Sequence, residues 1–134
     1  MGKDGQVEFE IDFPADGPAD LVMQIAGVPT AAAFDELNTR LVSDPRFRAG
    51  LTILVDVEWL DSADLTDEEV EVLSAPIAVR DWDYLPKAVA IVAPDERTYA
   101  TMRKYRAHLG GSKSNRQVFT TRQEALAWLE QQGS

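Results

Sequence analysis

The sequence predicts a single α/β domain over residues 1–134, built on a mixed, mostly parallel five-stranded sheet with helices packed on it. Two apolar runs, 51–55 and 87–93, have the β-branched composition of strands that are buried on both faces. Helical patterns alternate with strand patterns along the chain, which is typical of strand–helix–strand units with right-handed crossovers. The resulting element order is ββαβαβαβα.

The first two elements predict an antiparallel pair at one edge of the sheet. Residues 7–13 (VEFEIDF) alternate apolar and acidic side chains, so we expect a strand with one face in water. Residues 14–20 (PADGPAD) predict a turn, because prolines, glycine and aspartates interrupt a strand. Residues 21–27 (LVMQIAG) predict the second strand, and the short turn favours antiparallel pairing.

Capping residues predict where four helices begin, at Thr30, Thr66, Asp95 and Thr121. Prolines and glycines predict where helices break or end, at Pro45, Pro76, Gly110 and Gly133. Apolar residues at spacings of three and four follow each start, so each helix has one face to bury against the sheet. A short strand is expected at 116–119 (RQVF), between the last two helices.

The composition limits the class of protein. Its 45% hydrophobic and 27% charged content are ordinary for a soluble globular domain. No apolar run approaches the roughly 18 residues that span a bilayer, and the amino terminus lacks the apolar stretch of a secretory signal. The absence of cysteine excludes disulfides, thiol nucleophiles and cysteine metal sites. We therefore expect a cytoplasmic protein without a membrane span.

The net charge of −10 is spread unevenly along the chain. Residues 1–86 carry 19 acidic and 5 basic side chains, a net charge of −14, and residues 87–134 carry 4 acidic and 8 basic ones, a net charge of +4. An acidic total disfavours nucleic acid, whose binding depends largely on neutralised phosphates. Opposed charges instead favour a protein partner or self-association.

Four stretches carry a resemblance to a known family: 27–30, 44–56 (DPRFRAGLTILVD), 87–94 (KAVAIVAP) and 118–129 (VFTTRQEALAWL). With these residues and the element order, the chain resembles the STAS-like proteins, in particular the SpoIIAA-like branch named after the anti-sigma-factor antagonist. The resemblance covers about residues 5–131 and implies a small mixed sheet with helices around it. It also implies a regulatory protein that acts by binding.

In regulatory members of that family, a serine at the start of the helix after the central strand is phosphorylated and switches partner binding. The nearest residue here is Ser62, which is followed by Ala63-Asp64 where a glycine is usual. A phosphate adds about −1.5 to −2 charge, and this region is already acidic. The sequence therefore argues against a phosphorylation switch at Ser62.

The carboxyl ends of the strands are where α/β sheets present ligands and partners. We therefore predict a candidate binding surface after strand 51–55, formed by Asp56, Glu58, Trp59, Asp61, Ser62, Asp64, Trp82 and Tyr84. The first hypothesis is a non-enzymatic, STAS-like regulatory module that binds a protein there. The alternative is a small apolar ligand or lipid-type molecule in a pocket near Trp59, Trp82 and Tyr84.

The sequence contains no pattern that indicates catalysis, a cofactor or a metal. The single histidine, His108, has no serine nucleophile elbow to act with, and the chain lacks the GxGxxG, P-loop and HExxH patterns. The acidic residues after the central strand do not match an EF-hand loop. A hydrolase would lack a nucleophile and a base, so we expect no enzyme, no cofactor and no metal site.

Overall fold

The computed structural model describes residues 7–27, 36–37, 39–41, 43–48, 50–60, 87–108 and 115–133. The strands are β1 (Val7–Asp12), β2 (Leu21–Gly27), β3 (Thr52–Leu60), β4 (Ala88–Val92) and β5 (Arg116–Phe119). The helices are α1 (Glu96–His108) and α2 (Arg122–Gly133). Residues 36–37, 39–41 and 43 are also helical, and we call them the pre-β3 helix. The helix predicted from Thr66 lies outside the described residues.

The five strands form one sheet in the order β1-β2-β3-β4-β5. β1 pairs antiparallel with β2, and the other neighbours are parallel. β3 and β4 run side by side from Thr52 opposite Ala88 to Asp56 opposite Val92. The two apolar runs are therefore central neighbours, as the sequence predicted, and the antiparallel pair is at an edge.

The first face of the sheet is covered by the pre-β3 helix and α1. Leu37 and Leu41 of the pre-β3 helix and Met102 of α1 are buried against the apolar side chains of this face. The strands advance in one direction, so right-handed crossovers place these helices on the same face. The main strand residues of this layer are Leu21, Met23, Ile25, Ile53, Val57, Val89 and Ile91.

The second face is covered by α2, which packs against β3, β4 and β5. Ala125 and Leu129 of α2 are fully buried against Leu54 and the small side chains of β4. The rings of Phe119 and Trp128 lie 5.6 Å apart at this layer. On the same face at the β1 end, Glu10 and Asp12 are exposed. α2 therefore leaves the β1 end of the second face with exposed charge.

Local capping explains where the two helices begin. The Thr98 backbone N–H donates to Asp95 Oδ2 over 3.1 Å, and the Glu124 N–H donates to Thr121 Oγ1 over 3.2 Å. These bonds satisfy backbone donors that the first turn leaves free. Both predicted caps are confirmed. The Glu124 carboxylate accepts a bond from the Thr121 hydroxyl at 3.1 Å.

The end of β3 corrects one sequence prediction. We expected a loop to begin at Asp56, but β3 continues to Leu60. Its register changes from Gln24 opposite Asp56 to Ala26 opposite Trp59, so β3 holds one more residue than β2 at this bulge. The Glu58 N–H donates to Asp56 Oδ1 over 2.9 Å. The strand continues because a side chain satisfies an amide at the bulge.

The described basic residues of the carboxyl-terminal half differ in exposure. Arg97, Arg103 and Lys104 are exposed on α1, but Arg116 is only 7% exposed. Among the described helices, none has the length and apolar character that crossing a membrane requires.

Candidate functional site

The predicted surface after the central strand is described at its β3 end. Asp56 is 6% exposed, and its carboxylate accepts the Glu58 N–H, whereas Glu58 itself is exposed. Trp59 belongs to β3. Asp61, Ser62, Asp64, Trp82 and Tyr84 lie outside the described residues. Asp56 therefore shapes the end of the strand, and the predicted binding surface and apolar pocket remain predictions.

At the opposite end of the sheet, an open depression of about 500 Å³ adjoins Asp20 and Thr52. Thr52 N–H donates to Asp20 Oδ2 over 3.1 Å, and the Thr52 hydroxyl donates to the Pro18 carbonyl over 2.7 Å. The Asp20 N–H bonds to the Thr52 carbonyl at 2.9 Å. These groups satisfy one another and fasten the turn before β2 to the start of β3, which is a structural role.

A larger depression follows the outer edge of β1, and we call it the β1-edge groove. It is open and has a volume of about 830 Å³. Its walls come from both faces of the sheet edge: Phe9, Glu10, Ile11, Asp12, Val22, Gln24, Arg40, Ser43, Asp44, Arg46 and Arg122. Drug-sized ligand pockets have volumes of about 300–1,000 Å³, so the groove has the capacity to hold side chains of a partner.

Two arginines cover aromatic rings along β1 and its continuation. The guanidinium carbon of Arg40 lies 4.7 Å from the centre of the Phe9 ring, and that of Arg46 lies 4.3 Å from the Phe13 ring. Both distances are within the range of cation–π attraction, which stabilises exposed pairs by about 0.5–1 kcal/mol. The first face of the edge therefore presents half-buried rings overlaid by positive charge.

Arg46 is held in place by Asp44, which follows the pre-β3 helix. Arg46 Nη2 lies 2.9 Å from Asp44 Oδ2, and Nε lies 3.1 Å from Oδ1. These side-chain bonds are the main cause of a lowered pKa at Asp44. The bond that the Arg46 backbone N–H donates to Asp44 Oδ1 lowers that pKa further. The bond to Asp44 raises the pKa of Arg46, and the nearby charge of Asp12 adds to that shift. The guanidinium is thus oriented over Phe13 as a fixed cation.

The second face of the same edge is acidic. Glu10 and Asp12 are exposed there, beside half-buried Val22 and Gln24 of β2. Arg122, the first residue of α2, lines the groove from the α2 side. The two faces of β1 therefore differ: aromatic rings with arginines lie on one, and carboxylates lie on the other.

The backbone of β1 is paired on one side. Its partner is β2, and the described residues contain no strand on its other side. Peptide N–H and C=O groups that point away from β2 can pair with a further strand. The groove therefore combines hydrogen-bonding groups of the backbone with charged and aromatic side chains.

Sequence reasoning predicted the β1 edge but not the groove beside it. The alternation of apolar and acidic side chains over residues 7–13 predicted the edge strand and its acidic face. The arginines come from residues 40 and 46, about thirty positions later, and their contact with Phe9 and Phe13 depends on the packing of the pre-β3 helix. Within the described residues, no group of three or more His, Cys, Asp or Glu side chains has an arrangement that could hold a metal ion.

Comparison with known proteins identifies the fold. No family model and no curated protein matches the chain. Among solved structures, an uncharacterised protein of the DUF3478 family from Shewanella loihica PV-4, described as having a SpoIIAA-like fold, is 18% identical. It superimposes with a TM-score of 0.60 over 92% of this chain and 93% of its own. At this level of identity the likeness concerns the fold, and the chain therefore has the SpoIIAA-like α/β fold that its sequence resemblance implied.

Proposed function

We propose that this protein is a non-enzymatic, cytoplasmic binding module that docks a protein partner on the β1-edge groove. The observation that carries the proposal is the outer side of β1, which is unpaired within the described part of the chain and adjoins the groove. An extended segment of another protein can extend the sheet at such an edge. Main-chain bonds then supply affinity, and the flanking side chains supply specificity.

The groove suits a protein segment better than an apolar small molecule. Its walls carry three acidic and three basic side chains among eleven residues, and it is an open depression, not an enclosed cavity. Small-molecule pockets are mostly apolar and bury most of their ligand. A small apolar ligand near Trp59, Trp82 and Tyr84 stays an alternative prediction, and it concerns another part of the chain.

A regulatory role is the finer part of the proposal. It is supported by the SpoIIAA-like fold and by the predicted surface after β3, where Glu58 is exposed. The β1-edge groove would then provide a docking surface, and the acidic region after β3 would provide a second contact. Self-association is included, since a second copy is also a protein partner.

Site-specific photo-crosslinking in cells tests the proposal. The photoreactive amino acid p-benzoylphenylalanine replaces Glu10 in one variant and Gln131, an exposed residue near the end of α2, in a control. We expect a discrete crosslinked product from Glu10 but not from Gln131, with the partner then identified by mass spectrometry. Equal products at the two sites, or no product at Glu10, would overturn docking at the β1-edge groove.

A further inference from the structure

We infer that the partner segment beside β1 is an extended basic stretch, with lysine or arginine at alternate positions and apolar side chains between them. This inference rests on the proposed function, because it names the chemistry of the partner at the β1-edge groove. It follows from the different character of the two faces of β1 and from the geometry of an added strand.

The carboxylates of the second face determine the charge of the partner. An added strand places its side chains about 4.5–5.5 Å from the residues directly opposite on β1, measured between Cβ atoms. On the second face those residues include Glu10 and Asp12, which are both exposed. Opposite charges at such positions stabilise the pairing and like charges destabilise it. Lysine or arginine is therefore favoured on this face of the partner.

The first face requires a different kind of side chain. Phe9, Ile11 and Phe13 are half-buried there, and the guanidinium groups of Arg40 and Arg46 cover the two rings. A cation on this face of the partner would approach those guanidinium groups, whereas an apolar side chain would cover ring and aliphatic surface. Successive residues of a strand point to opposite faces, so basic and apolar residues must alternate.

Arg122 is a cation in the same groove, but it belongs to α2 and not to β1. It belongs to α2, which packs against β3, β4 and β5, so it reaches the groove from the side of β2. An added strand would be two strand spacings from β2, about 9.6 Å at about 4.8 Å each. A charge on the β2 side of the groove therefore acts on the added strand across more than the screening length of about 8 Å at physiological salt, whereas Glu10 and Asp12 lie directly opposite it. The carboxylates directly opposite therefore dominate.

A second copy of this chain fits the edge less well. Two copies pairing antiparallel through β1, about a two-fold axis perpendicular to the sheet, would bring their acidic faces to the same side. Glu10 and Asp12 of each copy would then approach the same residues of the other. Because like charges opposite one another destabilise a strand pair, a basic segment of another protein is favoured.

The test uses a fluorescently labelled, end-blocked peptide of alternating lysine and valine, matched in length to β1, with affinity measured by anisotropy. We expect the double variant Glu10→Gln/Asp12→Asn to weaken binding roughly two- to thirtyfold, since it removes two cross-strand charge pairs but keeps side-chain shape. The control Asp16→Asn/Glu96→Gln removes two exposed carboxylates elsewhere and should leave the affinity unchanged. The two double variants have the same net charge, so a difference in their affinities reports the positions of the removed carboxylates and not the total charge.

Two control peptides test whether the partner adds as a strand. One has the same lysines in a single block, and the other carries N-methyl groups on alternate amides to remove hydrogen-bond donors. We expect both to bind at least several-fold more weakly. Equal binding of either peptide, or equal affinity of the two double variants, would overturn the inference. If the alternating peptide does not bind while the Glu10 variant still crosslinks a partner, the inferred basic character of the partner is wrong, but docking at the β1-edge groove stands. If the peptide does not bind and no partner crosslinks, both proposals are overturned.

Discussion

At the scale of single residues, the bond between Asp44 and Arg46 fixes a cation at the edge of the sheet. The side-chain bond lowers the pKa of Asp44 below its usual value of 3.8. A lowered pKa in the folded state means that the carboxylate adds to stability above the unfolded pKa, and that this contribution is lost as pH falls through the folded pKa. Because Arg46 is exposed and Asp44 is only half-buried, solvent screens the pair and its effect on stability is small, so the titration itself is the better observable.

We expect an NMR titration to show Asp44 losing its charge at a lower pH than an ordinary aspartate. The variant Arg46→Gln should raise the pKa of Asp44 towards the usual value, because the charged donor is removed. Arg48→Gln, which removes an exposed arginine two positions later, is the matched control and should leave it low. A wild-type Asp44 that titrates at or above its usual value would contradict the bond described here.

Asp56 gives a second prediction at this scale. Asp56→Ala removes the acceptor of the Glu58 N–H at the β3 bulge. A buried donor left without a partner costs about 1–3 kcal/mol, and because this bond is only partly buried we expect a loss at the low end of that range. Asp56→Asn keeps an oxygen in nearly the same place, so its loss in the free energy of unfolding should be smaller. Urea unfolding of the two variants measures the difference. Equal losses would mean that the Glu58 N–H does not depend on this oxygen.

At the scale of elements, α2 holds the second face of the sheet through a few side chains. Leu129 is completely buried and Leu126 is half-buried on the same helix. Leu129→Ala should lower the free energy of unfolding by about 2–5 kcal/mol, the range for a buried leucine. Leu126→Ala makes the same chemical change and should cost less than half as much. Similar losses in urea unfolding would show that α2 packs on the sheet with a different face from the one described here.

At the scale of the whole molecule, local signals in the sequence predicted most of the fold. The apolar runs predicted that β3 and β4 are neighbours, and the capping residues Asp95 and Thr121 predicted where the two helices begin. These features depend on residues close together in the chain. The bulge before Trp59 was not predicted, because an extra residue in β3 becomes visible only against the register of β2.

The candidate site was less predictable for the same physical reason. The β1-edge groove joins side chains from β1, β2, the pre-β3 helix and α2, and no local pattern relates these segments. Arg116 shows the same limit: a charged side chain is usually exposed, but Arg116 lies at a buried position of β5. Alternation indicates which residues share a face, but packing decides which distant residues meet.

Amide hydrogen exchange of the free protein, resolved by NMR, shows whether the outer side of β1 is open to a partner. In an antiparallel edge strand, alternate residues direct their N–H groups towards the neighbouring strand and away from it. We predict alternating slow and fast exchange along β1 and continuous protection along β4, which has a strand on each side. Uniform protection of β1, equal to that of β4, would mean that its outer side is already covered and that no partner can add a strand there.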